Sequence, residues 1–506
     1  MSLRKKVLSV LFSFSLIMAY MAYADELPGI GTDLFLDDLD AQLAAIQQYE
    51  DQHIDELTAT RAVTPSQLAL ALSQIKEPLW KNTKPPAGRD ILYLLPHKIT
   101  AIEYGGIAAN VFFNMTNDMK VTIHDTFSEP QIDRITNFLP AATPSFPISE
   151  EAIQQLLPLF KKLTIQERKF GVLFQGGLVR GPYTAQLNTS IQLGARNFWL
   201  SERDQRAIED IIKNQYSSKS SGGGSVARPK FNDREMYIIN IGLGDTRLKL
   251  GLNALNMTSL QIDVGIESIV PTSSFSSPTL KSGIPHVADY DGDANEEVMK
   301  HAVDVLRTIR DHLVSPRLGN GGHYGLGCYL ESKIGMFHEL VQLWARASYD
   351  VLFPGDEDRL FMFKKTMTPD DVLNSPSKEK NNTYVREYML PSALSTSVCP
   401  GGVMNFVAEA NINFTKRLIF ALGYDFYAQQ EEQIKKLHNA PVNIQSLLIE
   451  EAQLPSVYQH KVFSEVFYHN KKLKKDVGVG LGGDFTVASR HIGQDWTLYL
   501  KLAASF

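Results

Sequence analysis

From about residue 103 onward, apolar and polar side chains alternate in long runs. In "YTAQLNTSIQLGA", Tyr183, Ala185, Leu187, Ile191 and Leu193 share one face, while Thr184, Gln186, Asn188, Ser190 and Gln192 share the other. This is the period of an extended strand, not of a helix. "SLQIDVGIE" repeats the pattern with Asp263 and Glu267 on its polar face, and "YGLGCYLESKIGM" with Tyr329, Glu331 and Lys333. "LVQLWARASYDV" sets Gln342, Arg346, Ser348 and Asp350 against Leu343, Ala345 and Tyr349. "MNFVAEANINF" sets Asn405, Glu409 and Asn411 against Met404, Phe406, Ala408 and Ile412. The C-terminal "QDWTLYLKLAASF" places Trp496, Leu498, Leu500, Leu502, Ala504 and Phe506 on one face.

These runs reach ~10 to 14 residues, whereas strands of soluble proteins average ~5 to 6 and a tilted membrane-crossing strand needs ~9 to 11. Trp496 and Phe506 are ten positions apart, which sets an aromatic near each edge of an apolar band ~25 Å tall. Strands are predicted near 103–114, 168–179, 183–195, 236–251, 257–270, 322–336, 340–353, 402–414, 416–428, 456–468, 476–489 and 494–506. The connections Arg180–Pro182, Asn253–Asn256, Phe337–Glu339 and the one at Thr415 are tight; Arg196–Glu235, Pro271–Gly321, Pro354–Gly401 and Gln429–Ser456 are long. Bacterial barrels alternate short periplasmic turns with long outer loops in this way. Arg490–Gly493 is the exception, short where a long loop is expected. The fold class expected is therefore all-β: a closed antiparallel transmembrane β-barrel of about twelve strands, within a range of ~10 to 14, with both ends on the short-turn side.

The first hundred residues differ. Arg4, Lys5 and Lys6 precede an apolar run, Val7 to Met21, that ends in Ala22-Tyr23-Ala24. This reads as a signal peptide over 1–24, cut between Ala24 and Asp25. Leu39, Leu43, Ile46 and Tyr49 recur at helical spacing, and Thr64-Pro65 with Gln67 forms a capping box. A helical segment is thus expected within 25–100, with its helices near 33–78, either plugging the barrel or lying below it in the periplasm, ahead of a barrel over 101–506. Within the long connections, "SERDQRAIEDIIKN", "EEVMKHAVDVLRTIRDHL" and "IQSLLIEEA" read as short outer-loop helices, and "SSKSSGGGS" as a flexible insert.

Composition narrows the function classes. A formal net charge of −6, from 50 basic and 56 acidic residues, offers no basic surface for nucleic acid. Cys328 and Cys399 are the sole cysteines and could form at most one bridge. "DYDGDANEE" spaces Asp289, Asp291 and Asp293 like calcium ligands, but Gly292 and the later glutamates are out of register. An acidic helix start is the better reading of the stretch, and no cofactor is expected. No serine-hydrolase or zinc-protease signature occurs, so an enzyme is not expected.

The closing "DWTLYLKLAASF" resembles the terminal assembly signal of bacterial outer-membrane β-barrel proteins. The resemblance implies an outer-membrane location, contact with its lipid, and reading of Trp496, Leu502 and Phe506 by the barrel-assembly machinery. The helical stretch at 33–78 is similar in place and character to the hatch of the long-chain fatty-acid transporter family. That family's Asn-Pro-Ala motif is absent, and the strand spacing gives twelve rather than its fourteen. The residues themselves favour a porin-like channel for small hydrophilic solutes. Its lumen is lined by Gln186, Asn188, Gln192, Asp263, Glu267, Glu331, Lys333, Arg346, Asp350, Asn405, Glu409 and Asn411, with mixed signs that predict weak ion selectivity. A transporter of hydrophobic ligands with an N-terminal hatch, and a barrel serving surface adhesion, are the alternatives.

Overall fold

A computed structural model describes residues 88–94, 105–120, 164–199, 203–204, 206–207, 210, 238–257, 259–273, 316–337, 340–361, 364, 392–415, 417–438, 444–470 and 477–505. Ala62–Pro229 and Tyr237–Phe506 belong to one compact unit. A second unit, Met1–Arg61 with Lys230–Met236, lies outside the described residues. So do the expected signal peptide with Ala24 and Asp25, the helices near 33–78, the calcium candidates Asp289, Asp291 and Asp293, and Phe506.

The alternating runs form β1 (Gly105–Lys120), β2 (Thr164–Arg180), β3 (Tyr183–Trp199), β4 (Ile238–Leu243), β5 (Thr246–Asn256), β6 (Leu260–Val270), β7 (Gly325–Met336) and β8 (Val341–Leu352). After β9 (Gly355–Phe361) and β10 (Ser392–Cys399) come β11 (Val403–Asn413) and β12 (Leu418–Gln429), then β13 (Gln433–Leu437), β14 (Val457–Asn470), β15 (Val477–Arg490) and β16 (Gln494–Ser505). Every pairing is antiparallel, and β1 pairs with both β2 and β16, so the sheet closes on itself. The closing seam runs from Gly106↔Ser505 to Asn117↔Gln494.

The wall has twelve strands because β4 and β5 are two halves of one. Both pair with β3, on either side of a break at Gly244–Asp245. The break is held by Gly244 N donating to Ser190 O at 2.8 Å and by Thr272 Oγ1 donating to Gly244 O at 2.7 Å. Tight turns join β2–β3, β5–β6, β7–β8 and β11–β12 on one side of the barrel. At the first of these, Gly181 takes φ +59° before Pro182, a conformation a side chain would strain. The opposite side carries the long connections, together with the short one at 491–493.

Burial alternates with the sequence period but with the usual polarity inverted. Leu187, Ile191, Leu250, Ile266, Leu330, Leu422, Leu481 and Leu498 are exposed on the outer face, while Lys461, Thr497, Arg346 and Asp350 are buried on the inner one. Inward aromatic rings lie over glycines of the neighbouring strand. A Cβ on Gly482 would come within 2.4 Å of the Tyr499 ring, and one on Gly423 within 2.1 Å of Phe463. These contacts let large rings lie flat against the wall inside a narrow lumen.

The long connections hold more sheet than their sequence suggests. β9, β10 and β13 form a separate three-stranded sheet continuing beyond β8, β11 and β12. The stretch read as a helix at "IQSLLIEEA" is two 3-10 turns, Ile444–Ser446 and Glu450–Ala452. The described residues of "SERDQRAIEDIIKN" are helical, and "EEVMKHAVDVLRTIRDHL" lies outside the described set. Cys328 and Cys399 are both free, with Cys328 exposed on the outer face. The conceivable bridge is therefore not formed, because Cys328 points away from the lumen and the loop sheet.

Candidate functional site

The lumen is occupied by a segment from before the barrel. Within residues 88–94, which include the single helical turn α1 (Ile91–Leu94), every residue from Arg89 to Leu94 is buried inside the ring of strands. The sequence explains the turn locally. Asp90 accepts from Leu92 N through its side chain at 3.2 Å, and its carbonyl accepts from Tyr93 N and Leu94 N, which caps the start of a turn too short to satisfy itself. All four α1 side chains are buried. Ile91, Leu92 and Leu94 pack on Phe112 of β1, Leu173 of β2 and Tyr499 of β16. Each such apolar side chain contributes ~1.5–3 kcal/mol when buried.

Polar contacts tie this plug to strands around the ring. The Arg89 guanidinium donates to Asp425 Oδ2 of β12 at 2.5 Å and to Gln459 Oε1 of β14 at 3.1 Å. It also donates to Tyr93 O at 2.5 Å and lies 4.8 Å from the centre of the Tyr427 ring. Lys169 of β2 donates to Arg89 O at 3.0 Å. Tyr93 donates its hydroxyl to Asp350 Oδ2 of β8 at 2.6 Å, and the Arg247 guanidinium of β5 covers its ring at 4.2 Å. A 2.5 Å ion pair at 2–3 % side-chain exposure is held by Coulomb attraction that water barely screens, and removing one partner leaves a buried charge unmatched.

Around the plug the wall is knitted by further ion pairs. Arg196 meets Glu167 at 2.7 Å, Arg346 meets Glu267 at 2.6 Å, and Lys461 bridges Asp484 at 2.5 Å and Asp495 at 3.1 Å. Lys501 meets Glu465 at 2.6 Å, nearer the short turns. At the plug's edge, between Arg89, Leu94, Asn114, Lys169 and Gln459, a cavity of about 10 Å³ remains, room for a single water.

On the long-connection side a second charged cluster joins the loop sheet. Glu357 of β9 receives Arg359 at 2.8 Å and His323 Nε2 at 2.7 Å, while His323 Nδ1 lies 2.9 Å from Phe353 O. Arg359 reaches on to Glu432 at 3.0 Å. Burial alone would raise the Glu357 carboxyl, but Arg359, Arg317 and His323 hold it down to about 2. Residues 316–323 fold against β3 and the break: Gln192 donates to Leu318 O, and Asn320 N donates to Asp245 at 2.7 Å.

The residues singled out from sequence occupy the inner face in three groups. Glu267, Arg346 and Asp350 come together around Arg247 and the plug. Asp263 accepts from Asn253 and Gln261, and Glu331 accepts from Trp344 at 2.6 Å; with Lys333 and Gln186 they are half-buried toward the short turns. Asn188, Gln192, Asn405, Glu409 and Asn411 are buried in the wall, Asn405 donating to Asp425 at 3.0 Å. A water-filled pore would leave these side chains wet; at the level of α1 they pair with one another and with the plug instead. Of the assembly-signal residues, Trp496 lies tilted against the Phe113 ring, centroids 5.4 Å apart, and Leu502 pairs with Ala109 across the closing seam. Sequence reading missed Arg89, Tyr93, Arg247 and Asp425. Among the described residues no group of acidic, His or Cys side chains could hold a metal ion.

No family model matches the sequence, and no curated protein matches it. Among solved structures, the chain is similar to the COG4313 outer membrane channel from Pseudomonas putida F1, at 8% identity and TM-score 0.39 over 80% of this chain and 96% of that one. It is also similar to a Pseudomonas aeruginosa FadL homologue, at 9% identity and TM-score 0.26 over 80% and 90%. A third is the Ralstonia pickettii toluene transporter TbuX, at 9% identity and TM-score 0.31 over 80% and 89%.

Proposed function

We propose that this chain is an outer-membrane channel closed at rest by its own residues 88–94, which passes a ligand with an apolar body when the plug moves. The membrane location is supported by the outer face, where leucine, isoleucine, valine and phenylalanine stand exposed on strand after strand. In hydrocarbon, a sheet leaves no backbone group unpaired only by closing, as β1 and β16 do here. Insertion there by the barrel-assembly machinery, reading the strand that ends at Phe506, belongs to the same proposal.

The plug carries the functional reading. Arg89, Tyr93 and the apolar α1 side chains are bound to β1, β2, β5, β8, β12, β14 and β16. A permanently open porin for small hydrophilic solutes has no use for such a ring of contacts. When the plug withdraws it uncovers Phe112, Leu173 and Tyr499, an apolar patch on the inner wall. This favours the hydrophobic-ligand reading over the polar pore.

Single-channel recording in planar bilayers tests it. The wild-type protein is expected to be closed almost throughout. Deletion of residues 88–94, or Arg89→Ala, is expected to give long-lived openings in protein that still migrates as a heat-modifiable barrel on gels. Steady full conductance of the wild type, unchanged by the deletion, overturns the proposal.

A further inference from the structure

The plug also shows what the lumen recognises. Among the described buried residues of β11 to β16 there are five carboxylates, Glu409, Asp425, Glu465, Asp484 and Asp495, against two ammonium groups, Lys461 and Lys501. This wall is acidic and short of cations. Arg89 supplies one from outside it. The guanidinium sits in a made-to-measure cradle, with Asp425 Oδ2 at 2.5 Å, Gln459 Oε1 at 3.1 Å and the Tyr427 ring face at 4.8 Å. Asn405 donates to the other oxygen of Asp425 at 3.0 Å, so the carboxylate is fixed in orientation whether or not Arg89 is there. A planar cation held by a carboxylate edge and an aromatic face is the standard recognition chemistry for guanidinium and ammonium groups. Next to the cradle, the same segment lays Ile91, Leu92 and Leu94 on the apolar patch of Phe112, Leu173 and Tyr499. A cationic head and an apolar body are thus bound side by side.

We propose that residues 88–94 are a built-in stand-in for the transported ligand, and that the ligand class is an amphipathic cation whose guanidinium or ammonium group takes the Arg89 place on Asp425, Gln459 and Tyr427. This rests on the gated-channel reading and adds the head-group chemistry to it. Ligand and plug compete for one site, so the ligand itself drives opening by occupying the cradle each time the plug detaches. The opposite wall sets five buried cations, Lys169, Arg196, Arg247, Lys249 and Arg346, against three strand carboxylates, Glu167, Glu267 and Asp350, so its balance is positive and favours placing the same cation on the acidic side.

The probes are butylguanidinium, butyrate and butanol, which share the chain and differ in the head. Calorimetry on purified full-length Arg89→Ala, whose cradle is vacant, is expected to show butylguanidinium binding about tenfold or more tighter than butyrate or butanol, as a charge-assisted pair with Asp425 requires. The double variant Arg89→Ala/Asp425→Asn is expected to lose that preference. In bilayers, butylguanidinium is expected to raise the open probability of the wild type, while butyrate is not. Arg89→Lys, which keeps a cation in place, is expected to bind the probe far more weakly than Arg89→Ala; heat-modifiable migration confirms that each variant is folded. Equal binding of butyrate and butylguanidinium, or binding indifferent to Asp425→Asn, overturns the inference. Openings on deletion of 88–94 without any cation preference overturn it while leaving the gated channel standing.

Discussion

At the scale of single residues, the plug depends on a buried ion pair. Asp425 and Arg89 are both almost fully buried, so neutralising the carboxylate strands the guanidinium in a dry site. Asp425→Asn is therefore expected to loosen the plug by about 3–5 kcal/mol, the cost of an unmatched buried charge. Trypsin cleavage after Arg89 reads this directly: slow in the wild type, at least tenfold faster in the variant, with the barrel itself intact. Tyr93→Phe removes only one hydrogen bond, to Asp350 at 2.6 Å, and is expected to cost about 1.5–3 kcal/mol, a smaller acceleration in the same assay. These residues were hard to see in the sequence for a physical reason. "GRDILYL" folds as one turn, and one turn has no period; its four α1 side chains are all buried, so there is no polar face to betray it. The partners Asp425 and Gln459 lie 336 and 370 positions away, beyond any local pattern. Glu267, Arg346 and Asp350, by contrast, were legible as inner-face residues because each lies in a strand whose alternate positions are exposed and apolar.

At the scale of elements, the spanning strands were legible and the loop sheet was not. A strand with exposed apolar side chains on one face and ion pairs on the other must alternate, and β3, β8, β11 and β16 do so over 11 to 17 residues. The break at Gly244–Asp245 shifts the phase of that alternation, from exposed Ile239, Ile241 and Leu243 before it to Leu248, Leu250 and Leu252 after it, and a reading of 236–251 as one strand passes over the shift. β9, β10 and β13 are five to eight residues long; Phe361, Leu394, Ile434 and Leu437 meet in one apolar cluster, and a long-range ion network of Glu357, Arg359 and Glu432 joins the sheet as well. That network gives the loop sheet a pH dependence. Glu357 sits at about 2 in the folded sheet and returns to the ordinary carboxylate value, near ~4.5, when the sheet opens. Its contribution is complete above the ordinary value and is lost as pH falls from there toward 2. Amide exchange in residues 355–361, corrected for intrinsic rates, is expected to accelerate on acidification through that window, and Glu357→Gln is expected to flatten the profile. Exchange that stays constant across the window shows that Glu357 does not hold the sheet.

At the scale of the whole molecule, everything follows from an inverted arrangement, with apolar side chains outside and charges within. A soluble barrel with the same strands would bury Leu481, not present it at 65% exposure between Val466 and Leu500 on neighbouring strands. The two possibilities separate on a single substitution. In water, Leu481→Lys replaces an exposed leucine by an exposed lysine, an improvement in solubility with little change in stability. In a bilayer it places a charge near the middle of the apolar belt, at a cost of about 2–4 kcal/mol. Folding into vesicles followed by urea titration is expected to show that loss for Leu481→Lys, with a near-neutral result for Tyr458→Lys, whose site lies at the strand end beside Arg490. The depth dependence is the decisive part. Equal effects at both positions, or a variant more soluble without detergent than the wild type, remove the membrane from the account. The plug and its cradle then become an internal latch of a soluble barrel.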